Sequence, residues 1–389
     1  MFCNTKIGTF IHENKDWEQK LTQKPYCLLI KRLNPYILFK YSQIDSDFTN
    51  PVVREARGII FREGDWEQPV CHAFDKFGNY QENYSDTIDW NTAVVTEKID
   101  GSLIKVWHDG CWHISTNGTI SAYTAQLHDN PNKSYADLFI EAIEKCSLQP
   151  KPTEDSIAEF FCNLDPNFTY IFELVSPENR VVIPYKTTRV YFLAARNNCT
   201  NQLFFKNPNA KKTHSLDILQ PKRFSLKSLS DCVKTANEFN WDQEGFVVHD
   251  FAGHMIKIKS PEYVRAHYAR NNNNMTDERL LDVVRQNESE EFLTYCSDYT
   301  KRLKSIEFAY KQFQDFLKTI VICINKVWEN FTLEKTKKEF SNQVRRYPKV
   351  FQSYLFYCWN EGLVDFNNID FGTVTSKKLV KDMKELKLL

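Results

Sequence analysis

The chain has 389 residues, enough for two domains that each bury a core. Its 50 lysines and arginines balance 50 aspartates and glutamates, so bulk charge names no partner. Eleven cysteines, an odd number without a C-x-x-C pair, argue against a disulfide framework or zinc ribbon. They fit the cytoplasm or another reducing intracellular compartment. The opening MFCNTKIGTF lacks a basic flank followed by an apolar run, so no secretory leader is expected. The longest aliphatic stretch, around Ile320 to Ile324, is far too short to span a bilayer, and no membrane partner is expected.

Up to about residue 262 the chain reads as strand-rich. Val94-Val95, Leu103 to Trp107, Tyr170 to Val175, Val181 to Ile183 and Val190 to Leu193 are short and β-branched or aromatic. Asp109-Gly110 reads as a hairpin turn, and a second hairpin is expected from Gly245 to Lys259, turning near Ala252-Gly253. Helical patterns run from Tyr135 to Cys146 and from Ser156 to Asn163. Beyond residue 262 the pattern turns helical. Leu303, Ile306, Tyr310, Phe313, Leu317, Ile320, Ile324 and Val327 recur at threes and fours, an apolar stripe that suits a bundle core or a partner groove. Further helix is expected from Val344 to Trp359 and at the C-terminus. Residues 301–389 hold 17 Lys and Arg against 10 Asp and Glu, a net basic tail that suits either a polyanion or a solvated helical surface.

Lys98 carries the strongest chemical signal. It follows the apolar run Val94-Val95, and Asp100-Gly101 turns the chain at once, which holds the lysine rigidly. A lysine attacks the α-phosphate of a nucleotide only as the neutral amine. Nearby cations and partial burial favour that form. The product, a phosphoramidate, keeps AMP activated for a second acceptor. Downstream, strand alternation turns Glu173 away from Phe172 and Leu174, free to enter a cleft. In Met255-Ile256-Lys257-Ile258-Lys259 it sends both lysines to one face, where an anion such as triphosphate would relieve their repulsion. His249 and His254 lack a third ligand at metal spacing and read as strand-surface histidines.

Lys98-Ile99-Asp100-Gly101-Ser102 resembles the nucleotidyl-lysine signature of DNA ligases, RNA ligases and mRNA capping enzymes. Five further segments, in the order of that superfamily, are most similar to the phage-type RNA ligase 1 family of tRNA-repair ligases. The resemblance implies an α+β nucleotidyltransferase fold, ATP-grasp-like, with antiparallel sheets walling a nucleotide cleft. An adenylyltransferase domain, 1–262, would precede an all-helical C-terminal domain, 263–389, that sets RNA or tRNA preference. It implies ATP as substrate, a lysyl-AMP intermediate on Lys98 and Mg2+ or Mn2+. The partner would be RNA with 5′-phosphate and 3′-hydroxyl ends, nicked tRNA among them. The chain has no G-x-x-x-x-G-K-[ST] loop, so no built-in P-loop kinase is expected, and a separate end-healing kinase and phosphatase would suit the resemblance as partners.

The resemblance also implies roles. Arg57, in Glu55-Ala56-Arg57-Gly58, would bind nucleotide phosphates or ribose, which a guanidinium fork suits. In Asp75-Lys76-Phe77-Gly78-Asn79, Lys76 would reach the β- and γ-phosphates and Phe77 would line the pocket. Tyr41 corresponds to a tyrosine that touches ATP. Glu173, before Ser176-Pro177-Glu178-Asn179-Arg180, matches a glutamate needed for ligation and nucleotide contact. Glu244 in Glu244-Gly245 would hold the divalent metal, with Glu290 and Glu291 as a second cation site. Lys257 and Lys259 would contact phosphate, and Tyr263 matches a position important for ligation. The chain departs from the pattern at Asn117, where the family commonly has lysine.

Overall fold

The computed structural model describes residues 5–43, 45–127, 130–146, 154–206, 218–268, 275–286, 288–329, 336–360, 369, 371 and 374–389. The chain separates into two compact units, 1–270 and 271–389.

The described residues of the first unit hold twelve strands. In chain order they are β1 (Leu28–Leu33), β2 (Tyr36–Tyr41), β3 (Arg57–Arg62), β4 (Val94–Glu97), β5 (Ser102–Asp109) and β6 (Cys111–Thr116). There follow β7 (Phe168–Val175), β8 (Arg189–Asn197), β9 (Leu203–Phe204), β10 (Arg223–Phe224), β11 (Gly245–His249) and β12 (Met255–Lys259). They form three antiparallel sheets: β1-β2-β3, β10-β4-β11-β12 and β6-β5-β7-β8-β9.

The five-stranded sheet packs one face on the helix Tyr135–Lys145, which Ser134 and Asp137 start with a reciprocal capping box. Phe172 and Leu174 are sealed in that core with Phe139 and Phe160. Both expected hairpins form. Asp109 pairs with Cys111 around Gly110, and β11 returns as β12 past Ala252-Gly253. Val181 to Ile183, expected as a strand, is a series of bends between strands. Its amides donate to a side chain rather than to a ladder, which explains the departure.

The helix Pro261–Tyr268 follows β12 and belongs to the first unit, so the division falls after Arg270 rather than before Tyr263. The second unit is helical where described. Its helix Thr300–Glu329 buries Leu303, Ile306, Tyr310, Phe313, Leu317, Ile320 and Ile324, which makes the stripe a core rather than a groove. Each such side chain contributes roughly 1.5–3 kcal/mol. Val327, the last of the stripe, is exposed. The helical run from Val344 to Trp359 is broken before Pro348 into Lys337–Val344 and Lys349–Asn360.

Candidate functional site

The turn Lys98-Ile99-Asp100-Gly101 carries the chain from β4 in the four-stranded sheet to β5 in the five-stranded one. Both sheets line a cavity of about 340 Å³ beside it. Two close approaches fix the turn. A Cβ at Gly101 would lie 2.4 Å from the Leu174 carbonyl oxygen, beside Glu173. Gly245, whose carbonyl accepts from Lys98 N at 2.9 Å, has φ +138° and room for no side chain against β12. Lys98 is thereby pinned between β7, which bears Glu173, and the start of β11, which Glu244 immediately precedes.

Lys98 Nζ lies 2.8 Å from Glu244 Oε1. Burial raises the Glu244 carboxyl above the usual range, against the nearby charges of Lys98 and Lys259. Burial also pushes Glu173 up to about 7, with Lys98 opposing and Glu244 reinforcing the shift. Arg57, Lys257 and Lys259 line the same cavity, and Phe77 lies beneath two of these cations, 5.5 Å from the Arg57 guanidinium and 5.7 Å from Lys257 Nζ. Three buried side-chain atoms of lining residues have no hydrogen-bond partner: Arg57 Nη1, Asn117 Oδ1 and Glu244 Oε2. A donor, an amide acceptor and a carboxylate oxygen left unpaired in one cavity are the mark of a site built for a polar ligand.

Asp100 was legible only as part of the motif, and the structure gives it a specific task. Its Oδ2 accepts from the amides of Val182 and Ile183 at 2.8 and 2.7 Å, and its Oδ1 accepts from Tyr263 Oη at 2.7 Å. The Lys98 turn is thus clamped to the 181–183 bends and to the helix after β12. Tyr263 is buried and held well above the ordinary phenol range by that burial and by the charges of Glu244 and Asp100. It acts on the turn through Asp100 and does not line the cavity. Lys105 was also missed. It is fully buried on β5 and donates to the Gly58 carbonyl, which braces the residue after Arg57.

The cavity brings together Lys98, Arg57, Phe77, Glu173, Glu244, Lys257 and Lys259, with Asn117. Tyr41 and Lys76 lie outside it. Lys76 Nζ sits 4.1 Å above the Phe48 ring and 5.0 Å above Tyr41, and it faces a second cavity with Arg54 and Arg196. Phe77 lines both cavities. Glu290 is exposed on the helix Ser289–Tyr295 of the second unit, and the side chain of Glu291 lies outside the described residues. Among the described residues no group of three His, Cys, Asp or Glu side chains is arranged to hold a metal. His254 pairs with Asp250 at 2.9 Å on the surface, but His249 is no surface histidine. It is buried, lines the cavity and stacks on Phe205.

Residues 55–263 match the model of a family described as RNA ligase, of the phage T4 ligase 1 type. The chain is 28% identical over 90% of its length to a protein of Autographa californica nuclear polyhedrosis virus whose name joins polynucleotide kinase to RNA ligase. It spans about half, 49%, of that relative. It is 23% identical to an RNA ligase of Rhodothermus phage RM378, over 80% of this chain and 82% of that one. An archaeal ATP-dependent RNA ligase structure aligns over 77% of this chain and 78% of its own, at 14% identity and a TM-score of 0.43. The family model covers more than half of the chain, including Lys98, Glu173 and Glu244 and ending at Tyr263. The chain belongs to the RNA ligase family of the phage T4 ligase 1 type.

Proposed function

We propose that this chain is an ATP-dependent RNA ligase that takes AMP onto Lys98, passes it to an RNA 5′-phosphate and seals that end to a 3′-hydroxyl. The observation that carries the reading is the juxtaposition of the Lys98–Glu244 pair with unpartnered Arg57 Nη1 and Glu244 Oε2 in one cavity. Attack by Lys98 Nζ on the α-phosphorus forms a P–N bond, breaks the bond to the bridging oxygen and releases pyrophosphate. Nζ must first shed a proton, and Glu244 Oε1, 2.8 Å away, is the acceptor within reach. Arg57, Lys257 and Lys259 supply fixed positive charge for the phosphoryl oxygens, whose charge grows as the bond breaks. Glu244 Oε2 fits a divalent cation, since Mg2+ or Mn2+ takes one or two carboxylates and completes its shell with phosphate and water. Bound there with the nucleotide, the ion would neutralise phosphate charge.

The reading gives residues 271–389 the task of RNA preference, with nicked tRNA as the expected substrate. Arg345, Arg346 and Lys349 are close in sequence and exposed, which suits phosphate contact. Ends needing repair would be prepared by kinase and phosphatase activities. The baculovirus relative whose name joins kinase to ligase supports such a pairing of activities. A reducing intracellular site fits the cysteines, of which Cys71, Cys146, Cys232 and Cys358 are buried. No helix among the described residues is long and apolar enough to cross a membrane.

The direct test is sealing. RNA with a labelled 5′-phosphate and a free 3′-hydroxyl should become phosphatase-resistant with ATP and magnesium, and DNA ends or GTP should serve poorly. A fragment of residues 1–270 should still join simple strands and lose its advantage on nicked tRNA, most visibly as salt rises. Full preference in the fragment would put tRNA recognition on the first unit.

A further inference from the structure

His249 was set aside as a surface residue, yet it ends a face of β11 that runs through the cavity. Gly245, Val247 and His249 alternate with Phe246 and Val248, which are sealed in the core beneath. Gly245 takes the Lys98 amide, Val247 lies opposite Lys257 and His249 lies opposite Met255. The face therefore leads from the nucleophile and the phosphate-binding lysine to an end where Phe205, Phe74, Leu193 and Met255 line the wall. That apolar, aromatic end suits a base, as the cationic end suits phosphates.

His249 is a polar group set into this end, beside Arg223, which also lines the cavity. Its ring stacks on Phe205 with centroids 3.4 Å apart and planes 8° apart, and Phe74 stacks on Phe205 in turn at 6.5 Å. Burial and the neighbouring Arg223 guanidinium keep the ring neutral, with one N–H and one lone pair. The Asp250 backbone beside the ring favours its protonated form, as an accepting carbonyl does. An N–H turned to that carbonyl leaves the other nitrogen as an acceptor.

We propose that His249 reads the 6-position of the purine, its unprotonated nitrogen accepting a hydrogen bond from the 6-amino group of adenine. A 6-oxo purine would set a carbonyl oxygen against that lone pair and leave both acceptors unpaired. This rests on the ligase reading and deepens it, because it makes the preference for ATP the work of one side chain.

The test uses the full chain, stripped of AMP with pyrophosphate, and measures kcat/KM for nucleotide capture with ATP, inosine triphosphate and purine riboside triphosphate. Wild type should prefer ATP over purine riboside triphosphate by roughly tenfold, the loss of one buried hydrogen bond. It should prefer ATP over inosine triphosphate by more, since that ligand sets a second acceptor against the lone pair as well as lacking the donor. His249→Phe keeps a ring on Phe205 and removes the acceptor, and the three substrates should then converge. His249→Leu is read alongside it in case the larger ring disturbs packing. The proposal is overturned if wild type uses ATP and purine riboside triphosphate equally, whatever the variants do. It is overturned equally if a folded variant keeps the ATP preference. Wild type that captures no nucleotide from any of the three counts against the ligase reading instead.

Discussion

Tyr263 Oη donates a 2.7 Å hydrogen bond to Asp100 Oδ1, which ties the helix after β12 to the turn that carries Lys98. The two residues are 163 apart in sequence and both are buried. Tyr263→Phe removes the donor and leaves one oxygen of a buried carboxylate unpaired. It should cost roughly 1.5–3 kcal/mol in denaturant unfolding. AMP capture should slow as the turn loosens, with the lysine still competent. An unchanged unfolding midpoint would mean that the bond does not brace the turn.

Glu173 makes stability depend on pH. Its carboxyl is raised from 4.5 to about 7, chiefly by burial. Below about pH 4.5 both folded and unfolded chains hold the proton. Between there and 7 the unfolded chain releases it and the folded chain keeps it, so the folded state loses ground as pH rises. Glu173→Gln removes this loss and should stabilise the free protein at pH 8 relative to wild type by up to roughly 3 kcal/mol. The gain should shrink towards zero near pH 4. Unfolding curves at several pH values give the comparison, and a pH-independent difference would contradict the assignment.

Glu244→Ala takes away the partner of Lys98 and the proposed metal ligand, and Lys257→Ala takes away a cation from the phosphate end. Each should lower the rate of AMP capture by roughly 100-fold or more, the scale of one lost transition-state contact. RNA supplied already adenylated separates this step from sealing. Normal capture in both variants would show that the cavity is not the nucleotide site, even if sealing persisted.

Much of this arrangement was legible because strand alternation is a strict rule. Phe172 and Leu174 entered the core and turned Glu173 to the cavity, and the same rule put Lys257 and Lys259 on the cavity side of β12. The rule also held the signal for His249, two residues from Val247 on the same face of β11. Val181 to Ile183 misled by composition. Their β-branched side chains favour strand, and the partner that claims two of their amides, Asp100, is more than 80 residues away. Lys76 and Phe77 are neighbours that diverge, the ring to the Lys98 cavity and the amine to the aromatic rings of Phe48 and Tyr41. Nothing local in the sequence separates them. Lys105 was hidden for another reason: a lysine is rarely fully buried, and only the folded chain shows the Gly58 carbonyl waiting for it.

The central claim is that Lys98 becomes covalently charged. Intact mass spectrometry of pyrophosphate-treated protein, incubated with ATP and magnesium, decides it. The account predicts a gain of one AMP, mapped to Lys98 by peptide analysis, and none in Lys98→Arg, whose guanidinium stays protonated. An unchanged wild-type mass, or AMP on a different residue, would contradict it.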